Sequence, residues 1–506
     1  MGNDRSQLLL RGLVGGALAG IALCLSGPWW MVPALALLWS VVQSPLAAAL
    51  WGGVAVAISH HWLLALHPLT WLGVPALLSL PLAMAVWLAC ALAAALLVCA
   101  WTLLGRCLPG GGGLWHAVVL ALVWGLTETL LARGPLFWIG VGGSVLPADP
   151  WFAGLARWVG AGGLAAALVL FGWWLWTVLT VAGTDARVRW RLLSAGALGL
   201  LVAHGLGAVA LVGNGVRGAP VATSQLPVAL WQPVIPTREK FSDQRQAELP
   251  VRLSDAMARA SEGGAQLMMA PEGLLPLQPK STAEGQIPLL SGGFRWVAGQ
   301  QRSALLFFDP ESSATPAAID KHRLVPLGEW TPSLPGLVGL SAVGGLQSGD
   351  PSRLWRWGGP PAAVAICYEI SNGTALARAV ANGGEWILAA ANLDPYPMLL
   401  QRQFLALAQL RSVETARPLL SVANTGPTAL VTARGGVGAK LPAMRPGLLQ
   451  TTLDPRTSRD GYVLWREWPL WLMLSTALAA LLRTRAGSGL PPAQPRRRRT
   501  PPPGRE

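Results

Sequence analysis

Ala363-Val364-Ala365-Ile366-Cys367-Tyr368-Glu369-Ile370 is an apolar run that ends on a thiol and turns polar two residues later. From Ala362 to Ile366 the residues are apolar at every position, as in a strand covered on both faces. Such a strand delivers the next residue to the edge of its sheet, where a side chain can meet a substrate. Cys367 holds that position.

Runs of the same kind recur on either side, at Leu226 to Trp231, Ala265 to Ala270, Ala304 to Phe308, Trp386 to Ala391 and Leu419 to Ala423. Helix-like stretches lie between them, among them Gln244 to Ala260 and Leu399 to Thr415. The alternation predicts an α/β layered domain over 214–462 with buried central strands. Five cysteines occur in the chain, and Cys24, Cys90, Cys99 and Cys107 lie in or beside strongly apolar sequence. Cys367 is therefore alone in the polar region and has no disulfide partner there. It is either an inert buried thiol or a reactive one.

The sequence before this domain has another character. The whole chain is 52% hydrophobic and 12% charged, against about 25% charged in soluble domains. Stretches long enough for membrane helices are read at Gly12 to Leu25, Trp29 to Val42, Leu46 to Leu66, Val74 to Leu104, Trp115 to Leu131, Gly163 to Val181, Leu192 to Val212 and Val463 to Leu482. The expectation is a helical unit over 1–213 with about seven helices, and one further span over 463–482. The N-terminal apolar run is not read as a cleavable signal, because no small-x-small site follows and further apolar segments arrive at once.

A net charge of +14 does not point to nucleic acid, since the basic residues form no stripe interleaved with aromatics. Seven arginines from Arg483 onward stand against Glu506, which places six of the fourteen excess charges in a Pro- and Arg-rich tail. The tail, 483–506, is expected to be disordered and cytoplasmic. Orientation follows from the short loops. Arg5, Arg11, Arg106, Arg187, Arg189, Arg191 and the tail fall on one side, and only Arg133, Arg157 and Arg217 on the other. Both termini are then inside and the 214–462 domain outside.

Two more places set an ionisable residue after a strand or in a polar turn. One is Met268-Met269-Ala270-Pro271-Glu272-Gly273; the other runs from Asp320-Lys321-His322-Arg323 to Gly328-Glu329-Trp330. Singly, Glu272 reads as a turn residue, Lys321 as a solvated charge and Cys367 as core. Together and in this order they resemble the Glu, Lys, Cys triad of the nitrilase, or carbon-nitrogen hydrolase, superfamily. Preceded by the hydrophobic helices, the segments Lys321 to Glu329, Ile366 to Ile370, Arg411 to Pro418 and Asn424-Thr425-Gly426 are similar to the apolipoprotein N-acyltransferase family. The sequence departs from that family at Leu327, at Phe241 and in the loop Ala391-Asn392-Leu393-Asp394.

The resemblance implies a multi-span helical membrane unit carrying a nitrilase-like αββα sandwich outside the membrane, in a bacterial inner membrane with the domain periplasmic. It implies acyl transfer from a phospholipid donor to the α-amino group of a diacylglyceryl-cysteine lipoprotein acceptor. Glu272, Lys321 and Cys367 are the implied catalytic set. Chemically, a thiol of pKa about 8.5 is mostly protonated at neutral pH and needs a base. Glu272 suits that task, and Lys321 with the amide of Tyr368 suits the oxyanion. Glu329 and Glu369 are either supports for Lys321 and Cys367 or structural ion-pair partners.

No cofactor is expected. No metal is expected either, since His60, His61 and His67 lack cysteine or carboxylate companions at ligand spacing. His322 reads as solvated. Glu128, ionisable within an apolar segment, is expected to set helix position near Arg133 or lipid headgroups. Ser333 to Gly359, with Trp355 and Trp357, reads as a surface lid or a packed loop. The competing functional readings are a membrane-tethered amidase acting on a small amide, and a degenerate domain serving as a receptor.

Overall fold

The computed structural model describes residues 2–72, 74–109, 112–181, 186–213, 225–240, 242–277, 287–312, 316–326, 328–330, 345–394, 396–459 and 461–487. Phe241, Leu327, the 333–344 part of the expected lid and most of the basic tail lie outside the described residues.

The first half is helical: α1 (Gly2–Leu25), α2 (Pro28–Ser40), α3 (Pro45–Ser59), α4 (Ala76–Cys107), α5 (Leu114–Leu131), the short α6 (Gly140–Gly143) and α7 (Pro150–Ala153), α8 (Ala156–Val181) and α9 (Ala186–Val212). These helices are apolar on all sides, so Leu77, Leu92, Leu96 and Leu201 are exposed by more than half. Only a lipid solvent accommodates such a surface. Five helices, α1, α4, α5, α8 and α9, are long and apolar enough to cross a membrane.

The other apolar stretches form shorter helices than their sequence suggests. Pro28 starts α2, which has 13 residues, and Pro45 starts α3, which has 15; at 1.5 Å per residue such helices reach only about 20–22 Å, short of a hydrocarbon core of about 30 Å. After Ser59 the chain continues to Leu66 as a 3-10 turn, His61–Leu66. Helices α5 and α8 meet through glycine: a Cβ at Gly125 would lie 2.1 Å from the carbonyl oxygen of Gly162. Small residues at such a crossing let the backbones touch.

The second half contains twelve described strands. Strands β1 (Leu226–Gln232), β2 (Leu267–Met269), β3 (Leu289–Val297), β4 (Gln300–Phe308) and β5 (Ala317–Asp320) join β12 (Gly447–Leu453) in one sheet, ordered β12-β1-β2-β3-β4-β5. Strands β6 (Leu354–Trp355), β7 (Ala362–Ile366), β8 (Trp386–Ala391), β9 (Leu419–Ala423), β10 (Ala429–Val431) and β11 (Val437–Lys440) form the other, ordered β11-β10-β9-β8-β7-β6. Alternation along each strand explains the stacking. Val228, Leu230, Leu267 and Met269 point to a core shared with Val364, Ile366, Leu388 and Val422 of the other sheet. Their sequence neighbours Ala229 and Met268 instead pack under α10 (Asp243–Glu262). On the far side Ala363 and Ala365 pack under α11 (Gly373–Ala381) and α12 (Met398–Thr415). The result is the αββα sandwich.

That last layer is continuous with the membrane helices, because Leu400, Phe404 and Leu407 of α12 share one core with Leu23 and Leu164. Polar ties cross the same seam. Ala161 N–H donates to Glu414 Oε1 at 2.8 Å, Trp138 N–H to Ser371 Oγ at 3.0 Å and Gln403 Nε2 to the Leu23 carbonyl at 3.2 Å. The final apolar segment begins as α13 (Tyr462–Trp465), breaks at Arg466 with φ 49°, and resumes as α14 (Trp468–Gly487). The break leaves Glu467 at the seam, 3.1 Å from Arg133.

Candidate active site

Glu272 follows β2, Lys321 follows β5 and Cys367 follows β7, so three strand ends from both sheets converge. Lys321 is 1% exposed; its Nζ donates to Glu272 Oε1 at 2.6 Å and to Glu329 Oε1 at 2.9 Å. Burial alone would lower this ammonium, but Glu272 and Glu329 outweigh it and hold Lys321 well above its usual range. Glu329 is itself raised by burial, with Lys321 opposing. Its Oε2 also accepts from Val325 N–H at 2.8 Å, which fixes the loop after Lys321.

Cys367 is buried, hydrogen-bonded to Glu272, and pushed well above the usual thiol range by burial and by Glu272, against the pull of Lys321. It rests as a thiol beside that carboxylate. Its φ is 54°, a left-handed backbone that a non-glycine side chain adopts at a cost of about 1–3 kcal/mol. The turn Cys367–Ser371 is a 3-10 helix, and Tyr368, as its second residue, has an N–H without an intrahelical partner. The Tyr368 hydroxyl donates to that of Tyr396 at 3.1 Å.

Glu369 is the residue that holds this turn. One carboxylate oxygen accepts from Ile366 N–H at 2.8 Å, and the other from His322 N–H at 2.8 Å and Arg323 N–H at 3.1 Å. The same side chain therefore clamps the end of β7 to the Lys321 loop. Its counter-charge is Arg353, at 3.0 Å and 4% exposed. Arg353 escaped the sequence reading: nothing local marks an arginine sixteen positions away as the partner of Glu369. The loop Ala391 to Asp394 serves the other member. Asn392 N–H donates to Glu272 Oε2 at 3.2 Å, while Asn424 Nδ2 donates to Asn392 Oδ1 at 2.8 Å. Gly292 backs Glu272, since a Cβ there would fall 2.4 Å from the Glu272 Cα.

The three residues open on a cavity of about 220 Å³, whose wall also includes Lys240, Arg238, Tyr396 and, from the helical unit, Leu66. Lys240 was likewise missed. It is buried and lowered to about 8 by that burial, with Glu272 and Asp394 acting against it.

Residues 280–461 match the carbon-nitrogen hydrolase family. The chain is 55% identical over 500 residues to the apolipoprotein N-acyltransferase of Prochlorococcus marinus (strain MIT 9313), covering 97% of this chain and 99% of that protein. It is 54% identical over 468 residues to the apolipoprotein N-acyltransferase of Parasynechococcus marenigrum (strain WH8102), covering 91% and 98%. The chain belongs to the apolipoprotein N-acyltransferase family. A crystal structure of an amidase from Nesterenkonia sp. is similar over 50% of this chain and 98% of that one, with TM-score 0.36 and 19% identity.

One expectation changes for this N-acyltransferase chain. Glu128 does not meet Arg133; it faces into the bundle, where both its oxygens accept from Val141 N–H at 2.9 Å and Oε1 accepts from Trp124 Nε1 at 3.0 Å. The left-handed turn at Gly140 brings that amide to the carboxylate, as its φ of 69° shows. In the described end of the stretch read as a lid or a packed loop, 345–359, Leu346, Arg353 and Trp355 are buried, while most other positions are exposed. Trp355 is 4% exposed in β6 and stacks on Trp357 at 5.6 Å, with Phe307 against both. These tryptophans belong to the core between the sheets because β6 pairs with β7.

Proposed function

We propose that this acyltransferase moves a fatty acyl chain from a membrane phospholipid to the α-amino group of a diacylglyceryl-cysteine lipoprotein, through a thioester on Cys367. The carrying observation is that the Glu272, Lys321, Cys367 cluster opens on a cavity whose wall includes Leu66 of the helical unit, which suits a substrate drawn from the bilayer.

Glu272 takes the thiol proton as Cys367 Sγ attacks the donor ester carbonyl. The oxyanion is stabilised by the Lys321 ammonium and the Tyr368 N–H. Collapse breaks the ester C–O bond, and the leaving alcohol takes the proton from Glu272. The acceptor amine then attacks the thioester, gives its proton to Glu272, and expels the thiolate, which that proton restores. Glu329 holds Lys321, and Glu369 with Arg353 holds the turn. We place the protein in the bacterial inner membrane with its catalytic domain periplasmic and both termini cytoplasmic, because most loop arginines then lie inside.

The test is mass spectrometry of purified protein after incubation with phospholipid alone. An acyl adduct on Cys367 that hydroxylamine releases, and that a diacylglyceryl peptide then accepts, is the expected result. An adduct elsewhere, turnover surviving in Cys367→Ala, or transfer from small amides only would refute the proposal.

A further inference from the structure

On the opposite side of the Lys321 loop lies a separate cavity of about 420 Å³ between the end of α5 and the catalytic domain. Four arginines line it, Arg133, Arg323, Arg353 and Arg378, and Glu369 is its one lining carboxylate. Setting Glu369 against Arg353 and Glu467 against Arg133 still leaves two positive charges. The arginines come from three separate parts of the chain: the α5–α6 loop, the segments flanking β5 and β6, and α11.

Two details mark the cavity as a binding place and not only a charged seam. Arg353 and Arg323 each have a buried Nε with no hydrogen-bond partner among the described residues. Arg378 is exposed and makes no side-chain hydrogen bond or ion pair among the described residues. The two buried Nε donors cost free energy while unpaired, and Arg378 offers its guanidinium to an incoming acceptor. The lining begins two residues after membrane helix α5 ends at Leu131 and includes the exposed Trp330, while Leu136, next in sequence to the lining Pro135, is also exposed. A ligand combining a phosphate with apolar chains fits both features, since guanidinium forks match phosphate oxygens and tryptophan suits the headgroup level.

We infer that the cavity between Arg133, Arg323, Arg353 and Arg378 binds the phosphate of an anionic membrane lipid at a site distinct from the Cys367 pocket. Such a lipid bridges the helical unit and the catalytic domain across their seam, and the inference stands whether or not Cys367 is the nucleophile.

Native mass spectrometry of the full-length protein in detergent tests it, using dioleoyl phosphatidylglycerol and, as the phosphate-free control, dioleoylglycerol. The protein should retain one phosphatidylglycerol in preference to dioleoylglycerol. Arg378→Glu, at an exposed position, should weaken retention by about tenfold or more, the loss expected for one charge-assisted contact, while Arg378→Lys keeps most of it. The thermal unfolding profile of Arg378→Glu without added lipid should match the parent. Equal retention of both lipids, unchanged retention in Arg378→Glu, or displacement of the lipid by inorganic phosphate at equal concentration would overturn the inference, the last by identifying a free-anion site.

Discussion

Replacing Lys321 with methionine removes the ammonium between Glu272, at 2.6 Å, and Glu329, at 2.8 Å, in a site where Lys321 is 1% exposed. Taking one partner out of a buried ion pair costs about 3–5 kcal/mol, because the remaining charge stays dry and unpaired. Here two carboxylates remain, so one of them takes up a proton. Glu329 is the one already raised by burial. Without Lys321 its folded-state pKa rises further above the unfolded value of about 4.3. A carboxyl raised in this way contributes stability below its unfolded pKa and loses it as pH rises through the folded pKa. The Lys321→Met protein is therefore weakest at neutral pH and recovers as pH falls toward about 5. Adding Glu329→Gln removes one of the stranded carboxylates, so the double variant should be less destabilised than the sum of the singles by about 1–3 kcal/mol. Tryptophan-detected thermal unfolding in detergent, at neutral and mildly acidic pH, reads this directly. Acyl-adduct formation should stay about 10²- to 10³-fold slow even where the variant is folded, as for loss of an oxyanion donor. A Lys321→Met protein as stable as the parent at neutral pH, or additivity in the double variant, would refute the buried-triad reasoning.

Glu272→Gln removes a group that raises the Cys367 thiol and leaves Lys321, which lowers it; iodoacetamide labelling against pH should show the thiol ionising at lower pH than in the parent, while acyl transfer is lost. Arg353→Met strands Glu369, 4% exposed, without its cation; a loss of about 3–5 kcal/mol is expected, and Arg353→Met/Glu369→Gln should recover part of it in the same unfolding assay. Gly292→Ala drives a Cβ to 2.3 Å from Gly273 N and 2.4 Å from Glu272 Cα; this backbone clash should displace Glu272 and abolish thioester formation, whereas Gly205→Ala in α9, a helical position with open space around its Cβ, should keep the acylation rate.

The site's members were legible because each sits where local pattern is informative. Six strands read as apolar runs, β1, β2, β4, β7, β8 and β9, are buried at nearly every residue of those runs, and Glu272 and Cys367 follow two of them. Strand β3 was not read, since Ser291-Gly292-Gly293 interrupts its apolar run. That small-residue segment exists to let Glu272 approach, a requirement visible only once β2 and β3 are paired. Strand β11 escaped because it is short and mostly exposed, and β12 because it is mostly half-buried and mixes Gln and Thr with its leucines.

The amino-acid sequence by itself determined a lipid-facing helical half, a layered α/β half and the ordered Glu272, Lys321, Cys367 set, because hydrophobic periodicity and residue chemistry act over a few neighbouring positions. The tertiary structure alone decided which charges meet. Glu369 pairs with Arg353, Glu128 with the amide of Val141 and not Arg133, and Arg133 with Glu467, 334 positions onward. It also decided that Trp355 is core and that four arginines share one cavity. Electrostatic partnership depends on distance through space, and chain folding sets that distance without leaving a local trace.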